Sequence, residues 1–299
     1  MIAFRTQQSC PSAAASGEMI MRLSRLAGAA LAFSATLLGL SVNHRAEAAD
    51  LAEPVPAVAA SPYFSVTEAQ FLMGRLKNPF TGTNSWTPIV TIQHFSTNPL
   101  GDLYFFIDFE NDGGKDGYQD RDAYGEFYAY FSSAKILGLT YGGPVRDIGL
   151  TAGVNAGVES HFRAYVPGAY VDWNVPGFLA FRTLFTAYID DSSGRFGKAG
   201  KTDNSWQATL VWAYPFEIGN QLFSFEGFAE YTPRSRNYTY GTKLHDWILA
   251  EPQLRWDAGN AIWGEKGRFY LGTEYHYWRN KLGTKADESR FQGLAVVRF

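Results

Sequence analysis

Apolar and polar residues alternate with a period of two along most of this chain. In residues 102–110, Leu103, Phe105, Ile107 and Phe109 share one face. Asp102, Tyr104, Asp108 and Glu110 share the other, together with Phe106. In residues 245–257, Ile248, Ala250, Leu254 and Trp256 oppose Glu251, Gln253, Arg255 and Asp257. In residues 221–231, Phe223, Phe225, Ala229 and Tyr231 oppose Ser224, Glu226 and Glu230. Successive side chains of a strand point to opposite faces, so this spacing predicts strands and argues against helices. Twelve are predicted, at about 63–75, 86–96, 102–110, 122–133, 147–158, 166–174, 178–190, 203–214, 221–231, 245–257, 268–278 and 289–299.

Alternation by itself also suits a soluble sandwich, whose polar face looks to water. The connections discriminate. Those after odd strands are long and polar: "LKNPFTGTNS", "NDGGKDGYQDR", "ESHFRAYV", "DSSGRFGKAGKT", "TPRSRNYTYGTK" and "RNKLGTKADES". After even strands, "TNPLG", "VPG" and "PFEIGN" are short, whereas "AKILGLTYGGPVR" and "AGNAIWGEKG" are longer than the pattern asks. Short turns on one side, long loops on the other and an even strand count describe a transmembrane β-barrel. The pattern thus predicts an all-β, twelve-stranded antiparallel transmembrane β-barrel over 63–299.

The start of the chain reads differently. Arg22 and Arg25 precede the apolar run Leu26–Val42, and Ala46-Glu47-Ala48 follows. A basic start, an apolar stretch and a small-x-small exit make a secretory signal peptide over 1–48. Met19 and Met21 stand just before Arg22, so initiation at either gives a shorter form. Residues 49–62, containing "LAEPVPAVAASP", form a Pro/Ala-rich linker without periodicity.

Composition sharpens this picture. Phe, Trp and Tyr make up 16% of residues, which suits apolar side chains facing lipid. The only cysteine is Cys10, inside the signal segment, so the mature chain can form no disulfide or thiolate site. Without Met1–Ala48 the chain holds 22 basic and 27 acidic residues, a net of −5. A nucleic-acid polymer would call for a basic surface, so that partner is excluded. Twelve strands lie between the filled eight-stranded and open sixteen-stranded barrels, so the lumen is expected to be narrow and to pass small solutes only.

Several segments resemble the Tsx family of nucleoside-specific, channel-forming outer-membrane proteins. They are "TIQHFSTNPLGDLYFFIDFEN" (91–111), "DAYGEFYAYFS" (122–132), "WAYPFEIG" (212–219), "FEGFAEY" (225–231), "EPQLRWD" (251–257), "GTEYHYWRNKLG" (272–283) and "DESRFQGLAVVRF" (287–299). They occur in the family's order and span nearly all of 71–299. The terminal Phe299 after alternating apolar residues resembles the C-terminal signal of bacterial outer-membrane barrels. The resemblance implies a monomer in the outer membrane, among its lipids and lipopolysaccharide. It also implies a narrow pore with weak nucleoside sites, and in some members a second role as phage or colicin receptor.

The inward faces carry fitting chemistry. Aromatic rings stack on a base, and carboxylates accept ribose hydroxyls. The lumen candidates are Tyr104, Asp108, Tyr124, Glu126, Tyr128, Tyr130, Arg182, Tyr188, Glu226, Glu251, Arg255, Glu274, His276 and Arg298. Inward charges also pair with one another and simply fill a narrow barrel. No Arg/Lys ring of the kind that draws phosphate is evident. No cofactor and no metal are expected. Asp112, Asp116 and Asp120 resemble a calcium loop, but position twelve is Ala123 where a Glu is needed, so a solvated turn is expected.

Two other readings compete. His94 and Ser96 share a strand face, as in outer-membrane lipid hydrolases carrying His-x-Ser. Yet the parity of loops puts them at the periplasmic foot of the second strand, away from the outer leaflet, without an orienting third group. No enzyme activity is therefore expected. A surface receptor or adhesin barrel without transport is the other alternative.

Overall fold

A computed structural model describes residues 63–194 and 198–299. The expected signal peptide and the linker to residue 62 lie outside the described residues. The strands are β1 (Phe64–Lys77), β2 (Asn84–Asn98), β3 (Gly101–Glu110), β4 (Asp122–Ser132), β5 (Val145–Gly157), β6 (Phe162–Tyr165 and Gly168–Trp173), β7 (Ala180–Asp190), β8 (Ser205–Ile218), β9 (Gln221–Thr232), β10 (Trp247–Ala250 and Gln253–Trp256), β11 (Phe269–Arg279) and β12 (Glu288–Arg298). Each pairs antiparallel with the next. β1 also pairs with β12, with Glu68 opposite Arg298 and Gly74 opposite Gln292, which closes the barrel.

β6 and β10 are interrupted where proline removes a backbone donor. At Pro167 the neighbouring groups stay bonded: Val166 N–H donates to Gly153 and Ala187 N–H to the Pro167 carbonyl. At Pro252 the pattern repeats, with Glu251 N–H on Phe228 and Tyr275 N–H on Pro252. Gly227 faces this second break with φ +148°. A Cβ there would meet the Glu251 carbonyl oxygen at 2.3 Å, so only glycine lets the strands approach.

The two ends differ. Connections after even strands, together with the strand ends at Phe64 and Arg298, form one end, called here the terminus end. Two of its turns are just two residues, Pro99-Leu100 and Gly219-Asn220. Two others carry helices that strand periodicity does not show: α1 (Ser133–Leu137), capped by the Ser132 side chain, and α2 (Ala258–Trp263), capped by Asp257. These helices account for the two connections that were longer than the pattern asked. The loop end shows the reverse difference. "ESHFRAYV" is not a long loop, because Phe162–Tyr165 joins β6 and leaves a short turn.

Side-chain placement is inverted relative to a soluble protein. Phe71, Trp86, Phe109, Leu150, Phe185, Leu254 and Phe291 are exposed on the outer wall. Glu68, Gln70, Asn155, Arg255, Glu274 and Gln292 are buried inside it. Such a continuous apolar exterior is stable only against hydrocarbon, which makes this a transmembrane barrel.

Replacing Gly227 tests the close approach at Pro252. Gly227→Val should cost about 1–3 kcal/mol in backbone strain alone, in addition to the clash with Glu251. The expected result is loss of the fast-migrating folded band in unheated gel electrophoresis. A folded fraction equal to that of the unmodified chain would refute this reading of the break.

Candidate solute-binding lumen

One cavity of about 2700 Å³ runs inside the barrel, from Phe64 and Phe299 at the terminus end to Phe80 and Tyr240 at the loop end. That exceeds the roughly 300–1,000 Å³ of an ordinary ligand pocket several times over, as a passage would. All fourteen lumen candidates line it: the residues of β3 and β4, Arg182 and Tyr188, Glu226, Glu251, Arg255, Glu274, His276 and Arg298. Strand alternation carries them there, since every second residue must face inward.

Three arginines at the terminus end, Arg182, Arg255 and Arg298, are each bound by carboxylates. Arg182 places its guanidinium on Asp172 at 2.6 and 2.8 Å and on Asp102 at 2.7 Å. Its Cζ stands 4.2 Å from the centre of the Tyr130 ring and 4.5 Å from that of Tyr170. Arg255 donates to Glu68 at 3.0 Å and lies 3.2 Å from Glu226. Glu68 also accepts from Arg298, Gln70 and Gln93. Glu68 thus joins β1, β2, β10 and β12 from inside, across the seam where the sheet closes.

β4 supplies an aromatic stripe on the opposite wall. Glu126 accepts from Tyr124 at 2.5 Å, Tyr128 at 2.9 Å and Asn155 at 2.9 Å. The rings of Tyr128 and Tyr130 lie nearly parallel, 6.1 Å apart. Tyr188 is covered by the Arg234 guanidinium at 3.8 Å. Further round the wall, Thr91 donates to Asp108 at 2.5 Å, and Glu274 accepts from Gln253 at 2.7 Å and Gln292 at 2.8 Å.

At the loop end a chain of charges ties a loop to the wall. Lys281 lies in the short turn Lys281–Gly283 and is fully buried. Its ammonium donates to Glu288 at 2.5 Å and to the Lys77 carbonyl at 3.0 Å. Burial pulls the Lys281 pKa below the ordinary lysine value against the pull of Glu288. Glu288 lies 3.3 Å from His276 Nε2, and His276 Nδ1 is 2.7 Å from Glu251. Periodicity could not identify Lys281, because a loop residue has no face; Glu68 and Gln70 were legible as an alternating pair in β1.

The partners of His94 lie on neighbouring strands. His94 Nδ1 is engaged by Thr67 Oγ1 on β1 at 2.8 Å, and its ring stacks on Phe105 at 5.4 Å. Among the described residues no hydrogen bond joins His94 to Ser96. Both sit on the outer face of β2, near the terminus end. Two aspartates of 111–120 serve their own turn: Asp112 accepts from Gly114 N–H at 2.8 Å, and Asp120 from Asp116 and Gly117 N–H at 3.1 and 3.0 Å, while Asp116 accepts from Thr83 of the β1–β2 loop at 2.5 Å. Their carboxylate oxygens lie within 4.8 Å of one another.

Closed strands, an apolar exterior and a lined interior define the class: a twelve-stranded transmembrane β-barrel with a polar lumen. Among solved structures the chain is similar to the KdgM porin, at 10% identity and a TM-score of 0.43, over 78% of this chain and 99% of that one. It is also similar to the translocator domain of the autotransporter NalP from Neisseria meningitidis, at 11% identity and a TM-score of 0.37, over 81% of this chain and 90% of that one. No family model and no curated protein matches the chain.

The Glu68 cluster yields a stability prediction. Glu68→Ala leaves Arg255, 2% exposed, with half of its carboxylate partners and Arg298 with none. Breaking a buried pair this way should destabilise the barrel by about 3–5 kcal/mol. Urea unfolding in lipid vesicles measures it, and a midpoint unchanged from the parent chain would remove Glu68 from its structural role.

Proposed function

We propose that the chain is an outer-membrane channel for passive diffusion of small polar solutes, nucleosides in particular. The long loops face the cell exterior and the terminus end faces the periplasm. The observation that carries the reading is the stripe on β4, where Tyr124, Tyr128 and Asn155 converge on the Glu126 carboxylate in a lumen of passage size. Tyrosine rings offer apolar surface to a base, and the carboxylate accepts hydroxyl protons of a sugar. A neutral, flat, hydroxyl-rich solute meets both without a formal charge to desolvate. The segments that resemble the Tsx family, among them "DAYGEFYAYFS", supply this stripe, so nucleosides are the favoured solutes. Binding must stay weak, or the solute would not leave.

Planar-bilayer recording tests this. The expected result is a small conductance that added adenosine or thymidine reduces in a saturable way. Tyr128→Ala should weaken that block about tenfold, the equivalent of one modest stacking contact at about 1–3 kcal/mol. Glu126→Ala should weaken it comparably. Conductance indifferent to nucleosides would leave a general small-solute channel and remove the nucleoside reading. Ser96→Ala provides the check on lipid hydrolysis: phospholipid turnover by the purified barrel should match that of the Ser96→Ala variant, and serine-dependent release of fatty acid would overturn the channel reading.

A further inference from the structure

We infer that the middle of the lumen is a cation-binding stretch that makes the channel cation-selective. The inference rests on the channel reading and concerns charge, which that reading leaves open.

Its basis is an imbalance inside the wall. Arg182, Arg255 and Arg298 are each held by carboxylates at the terminus end. Asp108, Glu126, Glu251 and Glu274 have no lysine or arginine within ion-pair distance among the described residues. Neutral donors hold three of them: Thr91 on Asp108, two tyrosines and Asn155 on Glu126, and two glutamines on Glu274. Glu251 has only the His276 imidazole, which Glu288 also engages. Two further buried cations are engaged elsewhere. Lys281 is bound to Glu288, and Arg234 stands over Tyr188 and Trp247.

A second, independent observation concerns two buried acceptors. Asn155 Oδ1 and Gln292 Oε1 have no hydrogen-bond donor, although their residues are 3% and 1% exposed. Each oxygen belongs to the amide whose nitrogen grips a carboxylate, Glu126 for Asn155 and Glu274 for Gln292. Buried acceptors are normally satisfied, and here the amide nitrogens are already used on the carboxylates. Two free acceptors beside carboxylates that lack a lysine or arginine fit a species that brings positive charge or several N–H donors. Glu251, Glu274 and His276 present ligand atoms within 4.8 Å of one another, close enough for one small cation to touch more than one of them. Low-dielectric walls strengthen this field, and charged rings set ion selectivity in other pores. The occupants fitted to this stretch are small inorganic cations and primary ammonium groups in transit.

The reversal potential of the full chain in a planar bilayer, under a tenfold KCl gradient, tests the inference. A potential shifted toward that of K⁺ is expected, corresponding to a several-fold preference for K⁺ over Cl⁻. The isosteric double variant Glu126→Gln/Glu274→Gln should bring that preference back toward one, with the folded band in unheated gels showing that the barrel persists. A reversal potential near zero, or of anion-selective sign, would overturn the inference while leaving a conducting channel intact. An unchanged preference in a folded double variant would equally overturn it, because the selectivity would then arise elsewhere. Absence of any conductance would overturn the channel reading itself, and this inference with it.

Discussion

Backbone N–H and C=O groups in a hydrocarbon layer have no water to bond, so every strand needs a partner on both sides. In this molecule that requirement is met at the seam between β1 and β12. Glu68 faces Arg298 there, and the ladder continues to Gly74 opposite Gln292. The two proline interruptions respect the same constraint, since the groups beside Pro167 and Pro252 find acceptors or donors on neighbouring strands. Without closure, β1 and β12 would each expose a row of unpaired groups to lipid.

Closure then dictates where side chains go. One face of every strand meets lipid and must be apolar; the other meets the interior cavity. Charges on that inner face cannot all be solvated, so many of them pair. Glu68 collects two arginines and a glutamine from three other strands, and Gln70 from its own. Arg182 is held between two aspartates and two tyrosine rings. These clusters fill the terminus end, while Lys281 and Glu288 tie a loop into the other. Between them lie the tyrosines of β4 and the carboxylates Glu126, Glu251 and Glu274.

The strands were legible because a period of two is imposed directly by geometry and lipid. β3 and β9 read cleanly from their alternating phenylalanines and carboxylates. The helices α1 and α2 were not legible, because five or six residues are too few to show a 3.6-residue period. The loop reading of Phe162–Tyr165 failed for a related reason: His161 and Pro167 bracket a segment too short to establish alternation. Inward placement of the fourteen lumen candidates followed from parity alone. Their partners did not, since Arg182 reaches Asp102 eighty residues away and Arg255 reaches Glu68 at a separation of 187.

By itself, then, the sequence determined which residues face lipid and which face inward, how many strands there are, and most of the connections that run long. Each of these depends on neighbours along one strand. Only the tertiary structure decided which inward charges neutralise one another and which are left without a cation. The same fold set His94 against Thr67 and Phe105, out of hydrogen-bond contact with Ser96, two residues along its own strand. Such pairings depend on the register and stagger of closed strands, which bring residues distant in sequence to one level of the lumen.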